Sequence, residues 1–158
     1  MDIYAIDVVE HFKNLVRKYG LPPEYVELEI TESAYVEEYK VITGVAEALR
    51  NAGFTVLMDD FGSGYSSLNM LKDIKMDTIK LDMGFLRKTR NNERSMSIVS
   101  NVIHLSKRLG MEVVTEGVET REQVDALTMM GCDVFQGYYF AKPMSVWDYE
   151  DKYISTEG

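Results

Sequence analysis

The sequence contains little cysteine, histidine and positive charge, and each shortage excludes a class of site. Cys132 is the single cysteine among 158 residues, so no internal disulfide can form, and a free thiol suits a reducing compartment. His11 and His104 are the two histidines, and both fall within helical patterns without a partner at metal-ligand spacing. With 17 Lys and Arg against 26 Asp and Glu, the net charge of −9 disfavours a surface for nucleic-acid backbones or anionic lipids.

Long apolar runs and low-complexity segments are also missing. No stretch of about 18 apolar residues is present, and the N-terminus lacks the pattern of a signal peptide, so we expect a cytoplasmic protein. With 158 residues and three prolines, the chain is predicted to form one domain. It is shorter than the roughly 250 residues typical of a complete eight-unit β/α barrel.

The sequence does contain an alternation of short β-like runs with helical runs, which predicts βα units and a parallel sheet. Residues 26–31 alternate apolar and polar side chains, and residues 54–58 form an apolar run that leads into an acidic pair. Further strands are predicted over 78–81, 112–115 and 134–135, with six helices between and around the five strands. Thr120 and Gln123 have the spacing of a capping box, so we expect a helix to begin there.

The carboxyl ends of the predicted strands are chemically notable, because parallel α/β folds place their functional groups there. Four ends carry acidic residues and the remaining one carries an amide. In chain order these residues are Glu29 and Glu32, Asp59 and Asp60, Lys80 with Asp82, Glu116, and Gln136. A single such carboxylate is more often a loop residue or a helix cap. Together, they would repel one another unless something positive lay between them, and Mg²⁺ or Mn²⁺ suits an oxygen-rich site.

This pattern favours a metal-dependent phosphoesterase, because paired divalent metals activate water and neutralise a phosphate. Lys80 would then balance charge on that water or on the phosphate. Other interpretations are weaker: Cys132 lacks a neighbouring histidine and is expected to be buried, while Tyr138–Phe140 could equally stack a base or pack at a strand edge. A phospho-receiver also uses an acidic pair and a lysine, but its pair follows the first strand, whereas this one follows the second.

Five motifs carry a family resemblance. They are residues 27–33 (ELEITES), 59–68 (DDFGSGYSSL), 79–82 (IKLD), 115–120 (TEGVET) and 136–138 (QGY). In this order, over nearly the whole chain, they are similar to the successive motifs of the EAL domain. The resemblance implies a TIM-type β/α barrel and a phosphodiesterase that hydrolyses cyclic di-GMP to linear pGpG with Mg²⁺ or Mn²⁺.

The resemblance also implies a role for each metal-site residue. Glu29 and Asp59 would ligate one metal ion. Asp59 would bridge to a second metal ion, which Asp60 and Glu116 would hold. Lys80 would hold the attacking water.

A second group of residues is implied to support the site. Glu32 would anchor the loop over residues 61–67, which in the family couples metal, substrate and dimer interface. The loop residues in question are Phe61, Gly62, Ser63 and Gly64. Glu119 and Gln136 would support the pocket as catalytic residues, and Asp82 would approach a guanine.

The chain departs from the family pattern at its front. The family's first strand carries a Glu-Ala-Leu signature whose glutamate ligates metal, a later strand supplies an asparagine ligand, and both precede the helix that opens this chain. We therefore expect residues 1–158 to be one incomplete domain, an α/β partial barrel of about five parallel strands. Residues 47–49 do spell Glu-Ala-Leu, but mid-helix, so Glu47 is expected on the surface.

The expected function is that of a truncated EAL-type cyclic di-GMP phosphodiesterase, impaired or inactive alone because two metal ligands are absent. The alternative is a non-catalytic module that binds cyclic di-GMP or a protein partner. Unpaired strand edges would also favour self-association, through those edges or through loop 61–67.

Overall fold

The computed structural model describes residues 3–62, 67–82, 84 and 92–154, which form one parallel sheet with helices. The strands are β1 (Glu27–Thr31), β2 (Thr55–Phe61), β3 (Thr78–Asp82), β4 (Glu112–Glu116) and β5 (Val134–Phe135). The helices are α1 (Ile3–Tyr19), α2 (Glu32–Glu37), α3 (Tyr39–Asn51), α4 (Ser67–Asp73), α5 (Asn92–Arg108), α6 (Arg121–Met129) and α7 (Val146–Tyr149). A 3₁₀ turn covers Pro23–Tyr25 and a π-helical turn covers Glu150–Ile154. The predicted five-stranded α/β architecture is confirmed.

The sheet has the order β1-β2-β3-β4-β5, and every pair is parallel. Each strand therefore pairs with its neighbour in sequence, as expected when helices return the chain to the same end of the sheet. The central strands β2 and β3 are largely buried. Residues 56–58 of β2 belong to the predicted apolar run, whereas in β3 the polar side chains of Thr78 and Lys80 are buried beside Ile79 and Leu81. Within the described residues, β1 and β5 are the edge strands.

Helix α1 packs against α3. Val9 and Val16 are buried, and the Phe12 ring lies 6.2 Å from the ring of Phe54, which directly precedes β2. The helix ends at Tyr19, where Gly20 takes a φ of 65°. That left-handed conformation suits glycine, which explains why the helix ends at this point.

Helix α2 was not predicted from the sequence. It follows β1 without a loop, and Thr31 caps it by accepting a 3.3 Å hydrogen bond from the Ala34 amide. The segment is only six residues long, so it carries no clear helical period. Glu32 is the first residue of this helix and is only 1% exposed.

An ion pair ties the sheet together at the end opposite the acidic strand termini. The Arg50 guanidinium, in the last turn of α3, donates to the Asp77 carboxylate through Nε at 3.0 Å and Nη2 at 2.8 Å. The same carboxylate accepts a 2.9 Å hydrogen bond from the Val56 amide at the start of β2. One carboxylate therefore joins α3, β2 and the entry to β3. Glu47, in the same helix as Arg50, is exposed as expected.

Candidate active site

The candidate site is centred on the ammonium group of Lys80, which projects from β3 and is only 9% exposed. Its Nζ lies 2.5 Å from Glu29 Oε1, 2.7 Å from Glu116 Oε1 and 3.3 Å from Asp59 Oδ1. These carboxylates come from β1, β4 and β2 respectively. Four strands thus contribute to one cluster, which we call the Lys80 cluster.

The parallel register explains why these side chains meet. Glu29 is paired with Leu57, two residues before Asp59, while Asp82 is paired with Glu116, two residues after Lys80 on β3. Because side chains alternate between faces with a period of two, all of these polar groups lie on one face of the sheet. The apolar residues between them point to the opposite face, beneath the helices.

The charge state of Lys80 follows from its surroundings. Burial alone would lower the pKa of the ammonium group, but hydrogen bonds to Glu116 and Glu29 and the charge of Asp59 raise it overall. Lys80 therefore stays protonated at neutral pH. It can donate hydrogen bonds and neutralise negative charge, but it cannot serve as a general base.

Asp60 occupies an unusual backbone position at the end of β2. Its φ is 56°, and the pairing of β2 with β3 shifts register between Met58 and Phe61, so the strand carries a bulge at this point. The Asp60 amide donates a 3.0 Å hydrogen bond to Asp59 Oδ1. The pKa of the Asp60 carboxyl is raised. The main cause is that protein atoms displace part of its water, and the smaller cause is that Asp59 and Asp82 carry like charge.

The donor set suits a hard divalent cation, because it consists of carboxylate oxygens around a point of converging negative charge. In the present arrangement, however, the ammonium group of Lys80 fills the centre of the cluster. Among the residues that the structure describes, no three Asp, Glu, His or Cys side chains are grouped so as to hold a metal ion. The chemistry of the residues thus fits a metal, while their positions favour the ion pairs with Lys80.

Glu32 lies directly against the loop that follows β2. Its Oε2 accepts a 3.1 Å hydrogen bond from the Gly62 amide, and Phe61 is buried in the core beside this contact. The expected anchoring of the loop thus has a contact to support it. Ser63 and Gly64, the other two predicted loop residues, lie outside the described residues.

Asp82, at the end of β3, uses one carboxylate oxygen locally. Its Oδ1 accepts a 2.6 Å hydrogen bond from the Gly84 amide. The side chain is partly exposed and close enough to raise the pKa of Asp60, which places it at the margin of the Lys80 cluster.

Glu119 and Gln136 have exposed side chains in two loops that are bonded to each other. The Val118 amide donates to the Gln136 carbonyl at 3.2 Å, and the Tyr139 amide donates to the Val118 carbonyl at 3.1 Å. The Glu119 amide donates to Gln123 Oε1 at 2.7 Å, within the predicted capping box of α6. Backbone contacts therefore fix both residues beside the sheet.

Gln136 also lines a separate surface pocket of about 610 Å³, which sequence reasoning missed. Lys142, Tyr149 and Tyr153 contribute to its wall. Tyr149 and Tyr153 are four residues apart, and this spacing was a possible signal that they share one helix face. No strand motif contains them, however, so the pocket is visible only after folding.

The family assignment rests on a match to residues 2–143, over which the chain fits the sequence model of the EAL domain. The chain belongs to the EAL domain family. It is 39% identical over 137 residues to the cyclic di-GMP phosphodiesterase RocR of Pseudomonas aeruginosa, and the alignment covers 87% of this chain and 35% of RocR.

Solved EAL structures share the fold. The EAL domain of Mycobacterium smegmatis DcpA superposes with a TM-score of 0.82 at 36% identity, covering 90% of this chain and 64% of that one. A manganese and cyclic di-GMP complex of Klebsiella pneumoniae BlrP1 superposes with a TM-score of 0.80 at 36% identity. The match covers 87% of this chain and 35% of that one. EAL domains are TIM-type barrels, and the five parallel strands belong to that fold.

This chain spans less than two thirds of each of these relatives. Within its described part, no helix is both long enough and apolar enough to cross a membrane.

Proposed function

We propose that this chain is a divalent-metal-dependent module for hydrolysis of cyclic di-GMP, in which one phosphodiester bond is cleaved by water to give linear pGpG. The observation that carries the proposal is the convergence of Glu29, Asp59 and Glu116 on Lys80 at the carboxyl end of the sheet. The named activity of RocR and the manganese and cyclic di-GMP complex of BlrP1 support the same chemistry.

Glu29, Asp59, Asp60 and Glu116 are the residues that would hold Mg²⁺ or Mn²⁺. A bound cation would activate water and neutralise the phosphate. It would also relieve the repulsion from Asp59 and Asp82 that, after burial, raises the pKa of Asp60.

The remaining residues would position water and substrate. Lys80 would donate a hydrogen bond to the attacking water, since its raised pKa keeps it protonated. Asp82 would approach a guanine, and Glu119 and Gln136 would support the pocket. Glu32 would hold the loop beginning at residues 61–62 through the Gly62 amide.

The test is conversion of cyclic di-GMP to pGpG by the purified chain in Mg²⁺ or Mn²⁺, followed by chromatography, with RocR as positive control. Chelation should abolish the activity. Lys80→Met should lower kcat by at least about a hundredfold, while Lys75→Met, an exposed lysine outside the cluster, should leave it unchanged. The absence of pGpG from this chain beside an active RocR would overturn the proposal.

A second candidate is binding of cyclic di-GMP without hydrolysis. The observation that favours it is the position of the Lys80 ammonium group at the centre of the carboxylates, with no metal-holding group among the described residues. Titration calorimetry with cyclic di-GMP separates the two functions. Saturable heat without pGpG formation would support the binding module and would contradict hydrolysis by this chain.

Self-association is a further proposal, through the edges of β1 and β5 or through loop 61–67. Within the described sheet these two strands each pair on one side only, which leaves backbone groups available to another chain.

A further inference from the structure

Helix α1 carries a second apolar stripe beside the one that is buried in the core. Val8, Leu15 and Tyr19 are 39%, 40% and 63% exposed. Together with the half-buried Phe12, they are spaced four, three and four residues apart, which is the repeat of a coiled-coil seam. We call these four residues the α1 seam. The proposed function leaves the seam unused, because none of the site residues lies in α1.

The two flanks of the seam differ. Val9 and Val16 each follow a seam residue and are buried, so the core of the same chain closes this flank. Asp7 and Lys18 each precede a seam residue and are exposed, so the other flank is open. Neither Asp7 nor Lys18 forms an ion pair with any residue that the structure describes. The seam is therefore an apolar stripe bordered by two charges that are available to a partner.

The direction of a partner helix follows from these flanks and from the charges of α1. Parallel helices bring opposite flanks together, whereas antiparallel helices bring the same flank of each helix together. An identical helix must therefore run antiparallel if its open flank is to meet the open flank of the first. The acidic Asp7 and Glu10 lie in the first half of α1, while its last turn is basic. The antiparallel arrangement places each acidic half near the basic end of the other helix, where opposite charges attract.

We propose that the α1 seam binds a second copy of this chain, with the two α1 helices antiparallel about a two-fold axis. Val8 would then lie near the partner's Tyr19, and Asp7 would pair with the partner's Lys18. Because the axis repeats each contact, the ion pair occurs twice in the dimer. The complementarity of α1 with itself is the observation that selects a second copy over an unrelated helix.

This surface is distinct from the strand edges and from loop 61–67. None of the seam residues belongs to β1 or β5. Dimerisation through the seam should therefore persist in Val134→Lys, which discourages pairing at the edge of β5. One helix face is smaller than a standard protein interface, so we expect a weak dimer that forms as the concentration rises.

The experiment is sedimentation equilibrium of the intact chain over a concentration series at constant ionic strength. We expect a reversible equilibrium between monomer and dimer. Leu15→Glu should raise the dissociation constant at least about tenfold, because it places a charge within the seam. Leu109→Glu, at a similarly exposed leucine outside α1, is the matched control and should leave the constant unchanged. Circular dichroism checks that each variant folds.

An exchange of charges tests the antiparallel direction. Lys18→Glu and Asp7→Lys should each weaken the dimer about tenfold, since each places like charges together at two symmetric positions. The double variant should restore the dimer, because the ion pair forms again with its signs exchanged. Lys75→Glu, an exposed lysine outside α1, controls for the change in net charge. Asp7→Lys makes the chain less negative, so general repulsion alone would predict stronger association for this variant.

Several results would overturn the proposal. A chain that stays monomeric at every concentration would assign the seam to a different partner. A dimer that ignores Leu15→Glu, or that is lost in Val134→Lys, would assign the association to the strand edges. Failure of the double variant to restore a dimer that both single charge variants weaken would contradict the antiparallel arrangement.

Discussion

At the residue scale, the candidate site depends on a few side chains whose surroundings differ from the usual ones. Lys80 is buried, but three carboxylates keep it charged. Glu32 is also buried, and its carboxylate accepts a hydrogen bond from the Gly62 amide. Asp60 combines a left-handed backbone with neighbouring like charges. Such positions cost stability and are characteristic of functional sites, because the rest of the fold holds them in place.

Asp60 gives a prediction about backbone strain. Asp60→Ala should be less stable than Asp60→Gly by about 1 kcal/mol, because alanine resists the positive φ that glycine accepts. Both variants remove the same charge, so their difference isolates the backbone. Urea unfolding measures the difference in the free energy of unfolding between the two variants. Equal stability, or a more stable alanine variant, would show that Asp60 relaxes out of this conformation.

Glu32 gives a prediction about the loop after β2. Glu32→Ala should speed hydrogen exchange of the Gly62 amide and slow any hydrolysis of cyclic di-GMP, because the amide loses its charged acceptor. Glu37→Ala, an exposed glutamate of the same helix, is the control. Unchanged exchange at Gly62 in the Glu32 variant would contradict the anchoring role.

At the scale of elements, close backbone contacts fix the two loops that carry Glu119 and Gln136. A Cβ atom added to Gly137 would overlap the backbone of Val118, so only glycine permits this approach. The capping box of Thr120 and Gln123 holds the start of α6 next to it. The end of β4 and the segment after β5 therefore form one unit.

Gly137→Ala should destabilise the fold by roughly 1–3 kcal/mol, since the new methyl group must displace the Val118 backbone. Gly44→Ala is the matched control, because an added Cβ meets nothing within 4 Å there and alanine favours the interior of α3. Thermal unfolding should show a loss for the first variant and no loss for the second. A Gly137→Ala protein as stable as the parent would refute the close contact.

At the scale of the whole molecule, the edge strands of the described sheet and the strongly negative charge have opposite effects on the proposed self-association. The edges of β1 and β5 favour pairing with another chain, while the net charge of −9 makes copies repel. Salt weakens the repulsion and leaves strand pairing largely intact.

Self-association should therefore increase with ionic strength, as measured by light scattering after size exclusion. Val134→Lys should reduce it, because a charged residue on a short edge strand discourages pairing. A monomer at every salt concentration would contradict the expectation.

The sequence by itself determined the order of the elements and the composition of the site. The alternation of short β-like runs with helical runs located all five strands. The strand ends predicted that Glu29, Asp59, Lys80 and Glu116 lie together, because parallel strands bring their carboxyl ends together. The capping box and the stop at Gly20 also follow from local chemistry alone.

Only the tertiary structure decided which of these groups touch. It placed Lys80 at the centre of the carboxylates, formed α2 around the buried Glu32, and bent β2 at Asp60. It also directed Gln136 to a tyrosine pocket whose wall is completed by residues later in the chain. Sequence periodicity reports which face a side chain occupies, whereas contacts depend on register, bulges and the packing of separate segments, which the local pattern does not encode.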